Sequence, residues 1–368
     1  MNFKAVEVDF QEITNSEEGK KMLRANPFAA KRNLKTFIYP HIKNSLSVFY
    51  QLALESDLVL YHVKTLADCF ADQFHHKMIR ASVLPIVEAT REFPNPAFSG
   101  FFIPKIFNRF TYRLSSLSIK ILSTPIGEFR KDFGLSARFK TPVVKNIYGL
   151  SSKFLPLPAD FSRDSKFTGF WFGNSSKELP EDVQKFIYEA TPPLVITFGS
   201  MPFKTKFDLQ SAIVKLADEF QMRIIVVRGW GFHQTELLEN HPNILVINSA
   251  PYAKLFLLSR AVIHHGGIGT TAKCLRAGKP FFICPILYPL GDQQFWGMHS
   301  YRLGLAVIPV PISKLREDVF RKRVRELILQ TELDENAKAM RLKISEEDGL
   351  NNAVDQIEAF CKKTNAID

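Results

Sequence analysis

Cysteine is scarce in this chain. Cys69, Cys274, Cys284 and Cys361 are scattered through 368 residues, and no two are spaced as C-x-x-C. That spacing argues against a zinc ribbon or a disulfide scaffold and for reduced thiols in a cytoplasmic protein. No apolar run reaches the ~18 residues of a membrane-spanning helix. The opening Met1-Asn2-Phe3-Lys4-Ala5-Val6-Glu7 lacks the apolar core of a signal peptide. Acidic residues are in deficit, 37 against 48 Lys and Arg, for a net charge of +11. With 46% hydrophobic and 23% charged residues the composition is globular, and 368 residues suit two α/β domains better than one.

The positive charge is uneven. From Phe101 to Phe154 there are ten Lys or Arg, two acids (Glu128, Asp132) and eight Phe. Basic side chains among exposed aromatics suit an anionic membrane surface, which would make contact peripheral, at the inner membrane face. The plainer reading is a set of core Phe beneath a solvated basic face. No nucleic-acid-binding motif accompanies the charge, so a nucleic-acid partner is not expected.

The hydrophobic pattern predicts a strand at Leu58–Tyr61, a helix over Leu66–Ile79 and a strand at Val83–Val87. A Pro- and Phe-rich loop with a short helix is expected over 94–110, then a helix over Thr111–Leu122, with Pro125 and Gly127 interrupting the chain after it. Five prolines between Leu155 and Pro193 mark the interdomain connection, giving an expected division into 1–165, a linker 166–192, a second domain 193–345 and a terminal helical segment 346–368. After the linker, six short apolar runs alternate with helix-length segments: Leu194–Phe198, Arg223–Val227, Ile244–Ile247, Ala261–His264, Phe281–Ile283 and Ala306–Pro309. That alternation predicts a parallel sheet covered by helices on both faces. The last helix, Asn351–Lys362, is amphipathic through Val354, Ile357 and Phe360.

Chemistry concentrates where the strand Ala261–His264 runs into His265-Gly266-Gly267-Ile268-Gly269-Thr270-Thr271. Strand, glycine turn and helix start together make an anion site, because the first N–H groups of a helix are unpaired and its dipole is positive there. His264, at the strand end, could donate a further hydrogen bond to a diphosphate. Gly267-Ile268-Gly269-Thr270-Thr271-Ala272 also fits the dinucleotide fingerprint G-x-G-x-x-A. That reading needs an acid at the end of the next strand, and Cys284-Pro285-Ile286-Leu287-Tyr288 stands there instead. Tight packing alone is the third explanation of the glycines. Gly291-Asp292-Gln293-Gln294-Phe295-Trp296 lies at the same carboxyl edge. Asp292 and Gln293 offer the carboxylate and amide that bind sugar hydroxyls, although Asp292 also suits the N-cap of the following helix. Thr197-Phe198-Gly199-Ser200 ends another strand at that edge.

These segments, in order, resemble the UDP-sugar glycosyltransferases. Ser249-Ala250-Pro251-Tyr252-Ala253-Lys254-Leu255-Phe256, His264 to Thr271, Leu275-Arg276-Ala277-Gly278-Lys279-Pro280, Asp292 to Gly297, and Leu303-Gly304-Leu305 carry the resemblance over 57 residues. It is nearest to the sterol glucosyltransferase branch. Asp57–His62, Thr90–Pro96 and Gly169–Phe172 extend it upstream. The resemblance implies a GT-B fold, two Rossmann-like domains facing across a cleft. It implies inverting transfer of a hexose, with glucose expected, from a UDP-sugar to a hydroxyl of a lipophilic, sterol-like acceptor, without metal or cofactor. By position, His264 and the backbone of Gly266, Gly267, Ile268, Gly269 and Thr270 would hold the diphosphate. Asp292 and Gln293 would hold the sugar, Gly199 and Ser200 would lie beside it, and Ser249 would lie near the base. The terminal helix would cross back onto the first domain.

Departures accompany the resemblance. Plant members carry a uracil-stacking Trp where this chain has Ser249, and a ribose-binding Glu near Ala272. The family's opening strand, glycine-rich loop and helix have no counterpart. Met1–Val8 reads as a later strand of the first domain, so the sequence begins roughly 50–60 residues downstream of the family's start, on the scale of a β-α-β unit. That missing region positions the catalytic base in many members. His62, at the end of the Leu58–Tyr61 strand, is the remaining candidate base, with a packed or acceptor-lining histidine as its plainer reading. The alternative function is a nucleotide-sugar-binding module without turnover.

Overall fold

The computed structural model describes residues 38–173, 177–229, 232 and 235–365. The expected strand at Met1–Val8 lies outside them. The helix α1 (Tyr39–Glu55) opens with Pro40, whose fixed φ suits the first turn, and buries Leu46, Tyr50 and Ala53. Strands β1 (Val59–Tyr61) and β2 (Met78–Ser82) follow, then α2 (Asn108–Ile119), α3 (Ser123–Asp132), β3 (Lys145–Tyr148) and β4 (Lys166–Phe167). The four strands form a parallel sheet in the order β1-β2-β3-β4. The Tyr50 ring packs on Phe70, Phe74, Phe129 and Phe133, at centroid distances of 5.5, 5.3, 5.7 and 4.8 Å.

Three local expectations fail here. The strand expected at Val83–Val87 is β2, five residues earlier; Ser82 Oγ accepts from Leu84 N–H and turns the chain, and Pro85 has no N–H to give a ladder. The helix expected over Leu66–Ile79 is a series of single turns, with Leu66 left-handed at φ 60°. Tertiary contacts override its helical period: Asp68 bonds Tyr61 and Arg80, and Asp72 pairs with the fully buried Arg130. Conversely, Pro125 and Gly127 do not break the chain. Pro125 sits in the first turn of α3, where a missing N–H costs nothing.

The second half begins with α4 (Glu181–Tyr188) and β5 (Leu194–Thr197). It continues with α5 (Leu209–Glu219), β6 (Ile224–Val227), β7 (Ile244–Ile247), α6 (Tyr252–Leu257), β8 (Ala261–His264) and α7 (Ile268–Ala277). Then come β9 (Phe281–Ile283), α8 (Gln293–Arg302), β10 (Ala306–Val307), α9 (Glu317–Leu329), α10 (Thr331–Ser345) and α11 (Gly349–Asn365). All six strands are parallel, in the order β10-β9-β8-β5-β6-β7. Every residue of β5, β6, β8 and β9 is buried, as a parallel sheet covered on both faces requires. Each such Val, Leu or Ile contributes roughly 1.5–3 kcal/mol.

The Pro-rich stretch between the sheets is packed, not loose. Phe154, Leu155, Phe170 and Leu179 join the core that includes Val195 and Trp296. The first half also meets α8 directly. Phe93 lies 5.3 Å from Phe295, Phe154 lies 6.1 Å from Trp296, and His299 Nε2 is 2.7 Å from the Phe154 carbonyl. The last helix returns to the first sheet: Ala353, Ile357 and Phe360 pack with Ile79, Ile147 and Trp171, and Asn352 Nδ2 donates to the Thr168 carbonyl at 3.0 Å.

Candidate functional site

The order β10-β9-β8-β5-β6-β7 reverses direction between β5 and β8, which pair with Thr197 opposite His264. At such a switch point the loops leaving two neighbouring strands diverge to opposite faces and open a crevice at their carboxyl ends. The segments following β5 (Phe198-Gly199-Ser200), β8 (His265-Gly266-Gly267) and β9 (Cys284 onward) therefore meet at one place. Helix α7 starts there at Ile268, two residues before the expected Thr270, and ends at a left-handed Gly278, φ 64°. A Cβ on Gly269 would touch nothing within 4 Å, so the first turn of α7 is open on that side.

The two histidines separate. His264 is 0% exposed. Its Nδ1 accepts from Gly266 N–H at 3.0 Å, which assigns the proton to Nε2, and among the described residues the buried Nε2 has no partner. Burial holds its pKa well below the ordinary value, and the neighbouring His265 adds to the depression, so the ring is neutral. Enclosed in this way, His264 cannot reach a ligand without moving; it shapes the turn. His265 is the histidine of the pair that borders the glycines of the crevice. It is only partly buried, and its ring lies against Gly199 and Gly267: a Cβ on either would come within 3.2 Å and 2.7 Å of the imidazole. Burial lowers its pKa and the charge of Asp292 opposes this. The backbone demand falls on Gly266, whose φ is +94° and whose added Cβ would meet Ile283 at 2.6 Å.

Asp292 precedes α8 but does not cap it by its side chain. Its Oδ2 instead accepts from Trp296 Nε1 at 2.8 Å, and among the described residues Oδ1 has no hydrogen-bond partner. The Trp296 indole is fully buried and fixes the carboxylate. Gln293 is buried, and its Oε1 accepts from the N–H groups of Ile286 and Leu287 at 2.7 and 2.9 Å. Its Nε2 lies 3.3 Å from Met201 Sδ. Gln293 thus ties the loop after β9 to the loop after β5. Ser200 and Ser249 are both exposed. Thr197 Oγ1 and Tyr252 OH, 2.7 Å apart, close the floor beneath Gly199.

His62 lies at the end of β1 in the first sheet. Its Nδ1 accepts from Lys64 N–H at 3.2 Å as the N-cap of a short turn. That bond puts the proton on Nε2 in this arrangement; the tautomer with a free Nε2 lone pair, which a general base needs, gives the Lys64 bond up. Burial first, and Lys64 second, lower its pKa. His75 and His76 are exposed, and His299 is packed against Phe154 and Phe295. Among the described residues no group of three or more His, Cys, Asp or Glu is placed to hold a metal ion.

The loop Asn95–Gly100 seats on the crevice lip. Gly291 N–H donates to the Ala97 carbonyl at 2.8 Å, and Tyr288 OH donates to the Gly100 carbonyl at 3.0 Å. The first half of the chain is thereby joined to the segment that carries Asp292.

No protein-family model matches the chain. It is 32% identical over 281 residues to sterol 3-beta-glucosyltransferase UGT80B1 of Arabidopsis thaliana, a match covering 72% of this chain and 44% of that protein. It is 28% identical over 246 residues to O-mycaminosyltylonolide 6-deoxyallosyltransferase of Streptomyces fradiae, covering 64% and 56%. The chain thus spans under two thirds of the length of either relative. Among solved structures it superposes on the glycosyltransferase of kitacinnamycin with a TM-score of 0.65 at 16% identity, covering 91% of this chain and 83% of that one. The chain accordingly carries the GT-B fold and is a sequence relative of the sterol 3-beta-glucosyltransferases and the macrolide glycosyltransferases.

Proposed function

We propose that this chain transfers a hexose, glucose first among candidates, from UDP to a hydroxyl of a lipophilic, sterol-like acceptor. The switch-point crevice carries this reading: the open start of α7 for a diphosphate, His265 between two glycines, and a carboxylate with one oxygen uncommitted. The curated relatives named for sterols and for a macrolide-type acceptor support the lipophilic class. The domain division at 1–165, 166–192, 193–345 and 346–368 is proposed with it.

The site residues then take these roles. The first-turn N–H groups of Ile268 and Gly269, together with Gly267, would hold the diphosphate, with Thr270, whose N–H donates to the Gly267 carbonyl at 3.0 Å, beside them. His265, neutral, would donate a hydrogen bond to it in place of His264. Asp292 would accept from sugar hydroxyls. Gln293 would act by holding the surrounding loops, and Gly199 and Ser200 would line the sugar. Ser249 would border the base. In direct displacement the acceptor oxygen attacks C1 from the face opposite UDP, the C1–O bond breaks, and its electron pair leaves with the diphosphate. The configuration inverts and no metal takes part. The α7 dipole and the His265 N–H would stabilise the developing negative charge. The acceptor proton would pass to His62 only in the tautomer that frees Nε2, which gives up the 3.2 Å bond from Lys64 N–H.

That last observation keeps a second reading in view, a module that binds the nucleotide sugar without turnover. Calorimetric titration with UDP-glucose, beside dTDP-glucose and NAD, tests the donor site. A radiolabelled transfer assay with a sterol acceptor tests turnover. Saturable UDP-glucose binding with no transfer favours the binding module; binding of NAD alone would overturn both readings.

A further inference from the structure

The helix α2 is built inside out. Its inward residues are polar: Asn108, Thr111 and Tyr112 are buried, and Asn108 Nδ2 donates to the Arg91 carbonyl at 2.8 Å while Thr111 Oγ1 accepts from Asn95 N–H at 2.7 Å. Its outward stripe is apolar. Phe110, Leu114, Leu117 and the following Ile121 fall at i, i+4, i+7 and i+11 and are all exposed. The loop before it continues the stripe, with Phe102 at 96% exposure and Ile106 at 83%. Between Phe101 and Ile121 there is no acid, and Lys105, Arg109, Arg113 and Lys120 stand exposed. Among the described residues none of these four forms an ion pair. The eight Phe of 101–154 therefore divide. Phe129 and Phe154 are core, whereas Phe101, Phe102, Phe107 and Phe110 face outward.

We infer that Phe101–Ile121 docks this protein on a bilayer surface carrying anionic headgroups. An apolar stripe interleaved with exposed cations, of which Arg109 also feels the charge of Asp160, matches the acyl–headgroup boundary, where aromatic and aliphatic side chains enter and Lys and Arg meet phosphate. A second copy is a poor occupant. A twofold contact would set this stripe against itself and bring like charges together, with no acid in the segment to pair them. The patch also starts one residue after Gly100, whose carbonyl accepts from Tyr288 on the loop leading to Asp292. A docked face would therefore adjoin the crevice and offer it a membrane-borne acceptor, and this consequence rests on the function proposed above.

The test is flotation of the full chain with phosphatidylcholine vesicles, with and without phosphatidylglycerol. Vesicles containing phosphatidylglycerol should bind the chain. The double variant Phe102→Asp/Ile106→Asp, and separately Lys105→Glu/Arg109→Glu, should each weaken that binding roughly tenfold or more, with urea midpoints unchanged. No flotation of the wild-type chain overturns the inference, as does flotation that both variants preserve. A concentration-dependent dimer abolished by the same variants, with no vesicle binding, would give the face to a second copy. UDP-glucose titration is run in parallel: vesicle binding without UDP-glucose binding leaves the surface standing and removes the donor reading.

Discussion

Replacing Asp292 by Ala and by Asn separates two duties that the structure gives one carboxylate. Its Oδ2 holds the Trp296 indole N–H at 2.8 Å, and Trp296 is 0% exposed. In Asp292→Ala that donor loses its partner, which costs about 1–3 kcal/mol. In Asp292→Asn the amide oxygen can still accept, so the loss of stability should stay below ~1 kcal/mol. Donor binding should follow a different order. Losing a charged acceptor to a sugar hydroxyl is worth about 1.5–3 kcal/mol, or roughly 10–150-fold in Kd, for Asp292→Ala. The neutral acceptor of Asp292→Asn should recover part of this and leave a loss of roughly fivefold. His265 does not confuse the comparison. Asp292 raises its pKa against a larger lowering by burial, so removing the charge leaves the ring neutral near pH 7. Urea denaturation and UDP-glucose calorimetry on the three proteins give both orders. If both variants bind UDP-glucose like wild type while only the Ala variant is less stable, the carboxylate serves Trp296 alone and the sugar role is refuted.

Gly267→Ala would place a Cβ 2.7 Å from His265 Nε2 and force the ring aside. UDP-glucose affinity should drop roughly tenfold or more, with a stability loss of about 1–3 kcal/mol; unchanged affinity would remove His265 from the donor site. Three histidines, one buried and two partly buried, set an acid limit. His264, His265 and His299 all have folded pKa values below the ordinary 6.5, chiefly through burial. The unfolded chain therefore takes up protons first as pH falls, so this stability is full above about pH 6.5 and is lost toward the lower folded values. A urea midpoint that stays level or rises between about pH 7.5 and 5.5 would contradict that sign. Asp72→Ala strands Arg130, which is 0% exposed and makes 2.9 Å bonds to both carboxylate oxygens. The expected cost is about 3–5 kcal/mol by denaturation, partly recovered in Asp72→Ala/Arg130→Met.

The second sheet was legible because its strands are buried on both faces and read as continuous apolar runs between helices. Leu194, Ile224, Ile244, Ala261, Phe281 and Ala306 each fall in an anticipated segment. In the first sheet only β1 was read in place, for identifiable reasons. Strand β3, Lys145–Tyr148, contains Lys and Asn, and Asn146 is buried because Arg80 and Glu88 satisfy its amide. Strand β4 is two residues long. Neither produces an apolar run, and both exist through partners distant in sequence. The segment Leu66–Ile79 shows the converse, a helical period defeated by the side-chain demands of Asp68 and Asp72.

At the site, the motif was legible and the orientation was not. A glycine turn after a strand identifies the crevice whichever histidine points into it. The choice between His264 and His265 turns on where the strand ends, and moving one residue along a strand moves a side chain to the opposite face. His264 still pairs in the sheet, opposite Thr197 and Ile283, so its ring is committed to the interior. A usable signal lay in Gly199 and Gly267, which follow different strands and leave room for one ring between them. An imidazole needs such a gap only if it projects from the sheet, and the residue that projects is the first one beyond the ladder, His265.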